Sequence, residues 1–357
     1  MLKTIDFSVF KGKKVLITGH TGFKGTWLSL IMLKAGAEVL GYSLKPAYSG
    51  SHFELLDLEN KLQHVEGDIR DTEKLKSVFT EFKPEVVFHL AAQAIVIESY
   101  NNPKDTFDVN VMGSLSVLEC VRETTSVQAL VYITSDKCYE NVEWVWGYRE
   151  TDKLGGHDPY SASKAAAEIL FSSFIRSFLS SRENFQAVSV RAGNVVGGGD
   201  YSDSRIVPDC VRAIKVGKPI ELRNPNSTRP WQHVLEPLSG YISVATAILK
   251  GRQMNGDSYN FGPGTQTAAT VKQVADHIVS VFGEGQVIAS PVPADFHEAN
   301  LLQLNCDKAH ADLGWFPKWN VLETLDLTAG WYKRVEQGET ATIVTNEQIE
   351  AYFGEFK

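Results

Sequence analysis

Residues 13–25 read KKVLITGHTGFKG, a short apolar β-branched run followed by three glycines, Gly19, Gly22 and Gly25, at even spacing. The run reads as a buried strand, and the glycines as the turn that carries the chain into a helix. In that context the glycines allow a tight turn, close approach of a pyrophosphate to the backbone and tight helix packing, while the helix N-terminus offers N–H donors and a positive dipole. The competing reading is an ordinary glycine-rich turn; the strand before and the helix after favour a dinucleotide site. Gly19, Gly22, Phe23 and Gly25 are therefore candidate cofactor contacts.

Outward from that stretch, further apolar runs alternate with helical patterns: EVLGYSL (38–44), EVVFHLAA (85–92), ALVYITS (129–135) and AVSVRAG (187–193). This rhythm predicts an α/β protein with a Rossmann-type, doubly wound parallel sheet, because parallel strands need helical crossovers and strands this apolar are buried on both faces. After Asn194 the texture changes to a glycine run at 197–199, prolines at 208, 219, 225, 230 and 237, and shorter elements. The expected organisation is a dinucleotide-binding domain over 1–190, with returning segments around 230–265, and a smaller interleaved α/β substrate lobe over most of 191–357. The helix expected from Ser161 to about Ser181 is apolar around much of its circumference. Its second face needs a cover, either another copy of the chain or the chain's own second lobe.

Composition narrows the partners. A net charge of −8 and a pI near 5.7 argue against a nucleic-acid surface, so any anionic ligand must meet a local cluster of Arg or Lys. Four scattered cysteines form no CxxC pair and no metal-ligand grouping, so no metal is expected and reduced buried thiols are. No uncharged apolar stretch is long enough to span a bilayer, and a soluble, cytoplasmic protein is the expectation.

The second strand ends at Ser43 where an acidic residue would bond the ribose hydroxyls, and Lys45 follows close enough to meet a 2′-phosphate. That strand leaves NAD against NADP open and implies weak cofactor retention. Asp68 and Ile69 in GDIRD stand where an adenine could be held; a solvated loop carboxylate is the other reading of Asp68. Leu90, Ala91 and Ala92 end the fourth strand with side chains small enough for a cofactor to lie against the backbone.

The fifth strand ends in Thr134, Ser135, Asp136 and Lys137, and a Tyr160/Lys164 pair follows at a helix start, four apart and so on one face. A lysine beside a phenol favours the phenolate, which can take an alcohol proton as hydride leaves for a nicotinamide. Together with the glycine turn, this set is more specific than any of its parts.

TGHTGFKG, HLAAQA, NVMGSLSVLE, YITSDK, YSASK and RAGNVVG resemble the extended short-chain dehydrogenase/reductase family over nearly the whole chain. Within it, GYRETDKLGGHDPYSASK and NSTRPWQHVLEPLSGY resemble the nucleotide-sugar 4,6-dehydratases. The resemblance implies an NAD-dependent hydro-lyase, CDP-glucose as substrate, a homo-oligomer and a place in deoxysugar synthesis for a surface polysaccharide such as O-antigen lipopolysaccharide. It makes Tyr160 the oxidation base, Ser135 with Thr134 the partners of the carbon 4 oxygen, Asp136 the candidate acid and Lys137 the candidate carbon 5 base. Adjacent opposite charges push each of the last two away from its role, so Lys137 as a fixed cation stabilising the enolate stays open. Asn194 and Arg229 match the family's diphosphate contacts; Arg191 and Arg205 are further cations for that end. Trp144, Trp146 and Tyr148 are either a lid over the substrate or exposed loop aromatics. A nucleotide-sugar 4-epimerase and a non-catalytic dinucleotide sensor are the alternative functions.

Overall fold

The computed structural model describes residues 5–264, 268–290 and 301–356. Seven strands form one parallel sheet: β1 (Lys14–Thr18), β2 (Glu38–Ser43), β3 (Gln63–Glu66), β4 (Val86–His89), β5 (Ala129–Ile133), β6 (Gln186–Arg191) and β7 (Asp257–Asn260). Their order across the sheet is β7-β6-β5-β4-β1-β2-β3, so the winding reverses between β1 and β4. Ligands of such sheets bind at the carboxyl ends of the strands beside that reversal. The strands are Rossmann-like for the reason their sequences suggest: Val15, Leu16, Ile17, Val86, Val87 and Phe88 are all buried, with helices covering both faces.

β1 runs through the glycine turn into α1 (Phe23–Lys34). Gly19 has a φ of +76°, and a β-carbon there would lie 2.7 Å from the Ala91 nitrogen; one on Gly25 would lie 2.1 Å from the Gly19 oxygen. Only glycine fits either place. Gly22 caps α1 without a side chain, so the first-turn N–H groups point outward with no side-chain acceptor. β4 is locked to β1 through Thr18 Oγ1, 2.8 Å from His89 Nδ1 and 3.2 Å from the Ala91 N–H that donates to it.

α2 (Thr72–Phe82) and α3 (Ser114–Glu123) pack together on one face of the sheet. α4 (Pro159–Phe174) starts with Pro159 at its first position and Asp158 as cap, whose carboxylate accepts from the Ser161 N–H at 2.9 Å and hydroxyl at 2.6 Å. That cap fixes the register of Tyr160 and Lys164 on the first turns. The second half of the chain supplies α5 (Ile206–Lys215), α6 (Leu235–Leu249), and the last long helices, α7 (Val321–Glu336) and α8 (Ala341–Phe353). It also returns to the first sheet, since β7 pairs with β6 from Asp257↔Val188 to Asn260↔Arg191. Among the described residues no helix is long and apolar enough to cross a membrane, and Cys120, Cys138, Cys210 and Cys306 are buried and free.

Candidate active site

A cleft of about 500 Å³ opens over the carboxyl ends of β1, β4 and β5. It gathers Gly19, Gly22, Phe23, Gly25, Ser43, Asp68, Ile69, Leu90, Ala91, Ala92, Thr134, Ser135, Tyr160, Lys164 and Arg205 into one wall. The glycine cradle and the uncapped end of α1 fit a pyrophosphate, because any β-carbon at Gly19 or Gly25 would close the approach.

At the adenosine end, Ser43 Oγ lies 2.8 Å from Thr21 Oγ1. Lys45 is exposed and sits 3.7 Å from Glu66, which places a carboxylate beside the point where a 2′-phosphate would have to lie. Asp68 lines the cleft, but its carboxylate is gripped by Arg70, with Nη2 to Oδ2 at 2.6 Å, and Arg70 holds that carboxyl below its usual range.

At the catalytic end, Ser135, Tyr160 and Lys164 share the cleft wall, all buried, with the Lys164 ammonium 5.9 Å from the Tyr160 ring. Ser135 Oγ donates to Asp136 Oδ1 at 2.9 Å. The Asp136 side chain is only 3% exposed and occupies the space a β-carbon on Gly193 would need, 1.8 Å from its Oδ2. Lys137, next in sequence, is half-buried, and neither it nor Asp136 belongs to the cleft lining.

Burial pushes the Tyr160 phenol up to about 12, against the Ser135 hydrogen bond and the Arg205 charge, which lower it. Burial pushes the Lys164 amine down to about 8, with the Glu168 carboxylate opposing. In the chain by itself the phenol therefore lies above its ordinary range, because burial outweighs the Ser135 hydrogen bond and the Arg205 charge.

Arg191 is a correction. It was a candidate cation for phosphate, yet it is 3% exposed and bonds Glu168 Oε2 at 2.7 Å, with its other arm on the Tyr139 hydroxyl at 2.7 Å. Glu168 also accepts from Thr134 and from Ser189, at 2.9 Å, so this network props the tip of β5 from beneath. Asn194 adopts a left-handed φ of 52°, and its carbonyl accepts the Gln232 N–H at 3.2 Å. Asn194 and Arg229, the latter on the strand Thr228–Pro230, both lie outside the cleft lining. Arg205, at the start of α5, faces the cleft while held by Asp200 at 2.9 Å.

The loop aromatics divide. Tyr148 is core, stacked on Tyr139 with ring centroids 5.2 Å apart; Trp144 is half-buried; Trp146 is 70% exposed. Only the last is free to act as a cover. Reading the sequence missed Glu168, Tyr241 and Lys24. Glu168 is one helical turn beyond Lys164, a spacing that marks it, and Lys24 sits inside the glycine motif itself.

Residues 16–328 match the family whose model is described as GDP-mannose 4,6 dehydratase. The chain belongs to this family. Among curated relatives, the CDP-glucose 4,6-dehydratase of Salmonella typhimurium is 45% identical over 352 residues, covering 98% of both chains. Among solved structures, an epimerase from Methanothermobacter thermautotrophicus superposes with a TM-score of 0.79 at 27% identity, over 93% of this chain and 95% of the other. A UDP-glucose 4-epimerase from Thermus thermophilus, in complex with NAD, does so at 0.77 and 27%, over 90% of this chain and 99% of the other. The extended short-chain dehydrogenase/reductase motifs and the Rossmann fold agree with this family.

Proposed function

We propose that the chain is a nucleotide-sugar 4,6-dehydratase that converts CDP-glucose to its 4-keto-6-deoxy product, with NAD as an internal hydride store. The observation that carries this is Asp136, an ionisable side chain that accepts from Ser135, which itself shares the cleft wall with Tyr160 and Lys164, where a 4-epimerase would need no acid. The full-length similarity to a CDP-glucose 4,6-dehydratase supports the choice of base and sugar.

When bound, NAD supplies the hydride acceptor for carbon 4 and the donor for carbon 6. Gly19, Gly22, Gly25 and the N–H groups of α1 would hold its pyrophosphate end, and Leu90, Ala91 and Ala92 would line its path along the cleft. Tyr160 takes the carbon 4 hydroxyl proton, with Ser135 bonding the same oxygen and Lys164 offsetting the phenolate charge. With a ketone at carbon 4 the carbon 5 hydrogen becomes removable. Asp136, bonded to Ser135, is assigned as the acid for the carbon 6 hydroxyl, and Lys137, next to it, as the carbon 5 base or enolate-stabilising cation, roles for which both side chains must reach the substrate from outside the cleft lining. Asn194, Arg205 and Arg229 take the diphosphate.

The outer face of α4 and of the helical stretch Ile175–Leu179 that follows it supports a homo-oligomer: Ile169 and Phe178 are 58% and 55% exposed, and Met112, on the helical stretch leading into α3, is 52% exposed. A dinucleotide-binding unit over 1–190, with returning segments around 230–265, and a substrate lobe over most of 191–357 remain the proposed division; the pairing of β7 with β6 supports the returning segment. A protein using NAD and a nucleotide sugar draws both from the cytoplasm, and works there. The test is incubation with NAD and a panel of nucleotide glucoses, following the ultraviolet absorbance of 4-keto-6-deoxy sugars in alkali. Product from CDP-[4-²H]glucose should carry deuterium on its methyl group; a 4-epimer without loss of water would replace this reading with the epimerase one.

A further inference from the structure

Every backbone donor in the first turn of α4 has a partner. Pro159 has no N–H; the Ser161 N–H donates to the Asp158 carboxylate at 2.9 Å and the Ala162 N–H to the Asp158 carbonyl at 2.9 Å. The remaining N–H of that turn belongs to Tyr160, and it donates to the Ser99 hydroxyl at 3.1 Å. Helix caps ordinarily come from the residue at the helix start. Ser99 instead lies 61 residues earlier in the chain, on the short helix Val96–Asn101, and is fully buried. Its own proton goes to the Val96 carbonyl at 2.6 Å, so the oxygen meets Tyr160 with a lone pair and the direction of that bond is fixed. α1 shows the opposite arrangement at its start, where the N–H groups have no side-chain acceptor.

The Tyr160 carbonyl is held as well. It accepts from the Ser163 hydroxyl at 2.7 Å, and the Ser163 oxygen accepts from the Asn110 amide at 2.9 Å. That amide bonds both peptide groups of Gln93, donating to its carbonyl at 3.0 Å and accepting its N–H at 2.9 Å. The segment 93–99 therefore reaches Tyr160 directly at its N–H and through two side chains at its carbonyl. Gln93, Ala94, Ile95 and Glu98 line the cleft, as Tyr160 does, whereas Ser99 lies behind that wall. A stretch of cleft wall and the backbone of the candidate base are one hydrogen-bonded unit.

We propose that Ser99 is a positioning residue for the oxidation step: its hydroxyl holds the Tyr160 backbone, and with it the phenol, in register with the wall 93–98, so that a sugar seated against that wall meets the phenol at its carbon 4 hydroxyl. The inference deepens the dehydratase reading and rests on it in taking Tyr160 as the carbon 4 base. Removing the hydroxyl leaves the Tyr160 N–H buried without an acceptor, and the turn must shift to find one. A displacement of reacting groups by about 1 Å is enough to cost about 10² in rate.

The experiment compares the full-length wild type with Ser99→Ala and with Ser99→Cys, which fills nearly the same space with a poor acceptor. Turnover of CDP-glucose is measured per NAD-binding site, so unfolded protein does not count, and CDP-[4-²H]glucose is run in parallel. Ser99→Ala is expected to lower kcat by about 10- to 10²-fold and Ser99→Cys by less, with KM and NAD affinity within about threefold of wild type. The deuterium isotope effect on kcat/KM should be at least that of the wild type, because the slowed step is the one in which hydride leaves carbon 4. A smaller isotope effect puts the damage at another step and overturns the proposal. So does a kcat within about twofold of wild type in Ser99→Ala, or a loss confined to KM or NAD affinity, which makes the hydroxyl a binding or packing feature. A wild type that forms no 4-keto-6-deoxy product overturns the dehydratase reading; one that forms it while Ser99→Ala keeps pace overturns this inference alone.

Discussion

Two buried charge clusters flank the tip of β5, and they are built oppositely. Beneath it, Glu168 and Arg191 are 2% and 3% exposed and closely matched: Glu168 takes bonds from Arg191, Thr134 and Ser189, and Arg191 reaches Tyr139 and the Glu150 carbonyl. Above it, Lys24, Lys164 and Tyr160 share a cavity wall with no hydrogen bond or ion pair among them, and Asp136 bonds the Ser135 hydroxyl of the same wall. A charge cluster that serves the fold uses up its donors and acceptors internally, whereas one that serves chemistry keeps some available for a substrate. Burial alone does not separate the two; the completeness of the partnering does.

The comparison can be broken at several points. The largest effect belongs to the upper cluster: Tyr160→Phe should lower kcat by about 10³ to 10⁴ through loss of the proton acceptor, with an unchanged unfolding curve in denaturant. Next comes the lower cluster. Glu168→Ala leaves Arg191 buried without a counter-charge and should cost about 3–5 kcal/mol of stability, and a Glu168→Met/Arg191→Met pair should recover much of it.

Burial would raise the Glu168 carboxyl, but Arg191 and the hydrogen bonds hold it below the ordinary 4.5. Its stabilisation is thus present above that value and lost as pH falls through the lowered one. Acid unfolding curves of wild type and Glu168→Ala should converge in that range. If the mutant instead loses activity at full stability, the division between the clusters is wrong.

A smaller effect is expected at the substrate end. Arg229→Ala should raise KM for CDP-glucose by about 1.5–3 kcal/mol equivalent, with kcat largely kept, as for a lost charged hydrogen bond. The smallest lies on the rim: Lys45→Ala removes an exposed pair with Glu66 and should change stability by at most about 1 kcal/mol, without conferring NADP use.

The sheet was legible because its strands are uninterrupted apolar runs and its first turn needs glycine twice. Tyr160 and Lys164 were legible because a spacing of four on a helix is a geometric statement. Arg191 was misread for a physical reason: a sequence shows a cation but not the Glu168 carboxylate that faces it across the strand–helix interface. Tyr148 is neither a lid residue nor an exposed loop aromatic, the two readings its sequence leaves open, because stacking on Tyr139 makes it core. Lys24 was hidden by its company. The glycines around it accounted for the motif, and nothing local showed that its side chain turns toward Tyr241.

The strand Asp257–Asn260 completes the sheet against β6. During synthesis the outer edge of β6 therefore stays open while the intervening residues, well past the middle of a 357-residue chain, are made. An unpaired strand edge is a template for association with other nascent chains. Fragments that stop before Asp257 should accumulate as insoluble material even though they carry the glycine turn and the Tyr160/Lys164 pair, so the ribosome must deliver about three-quarters of the polypeptide before its first half becomes safe from aggregation.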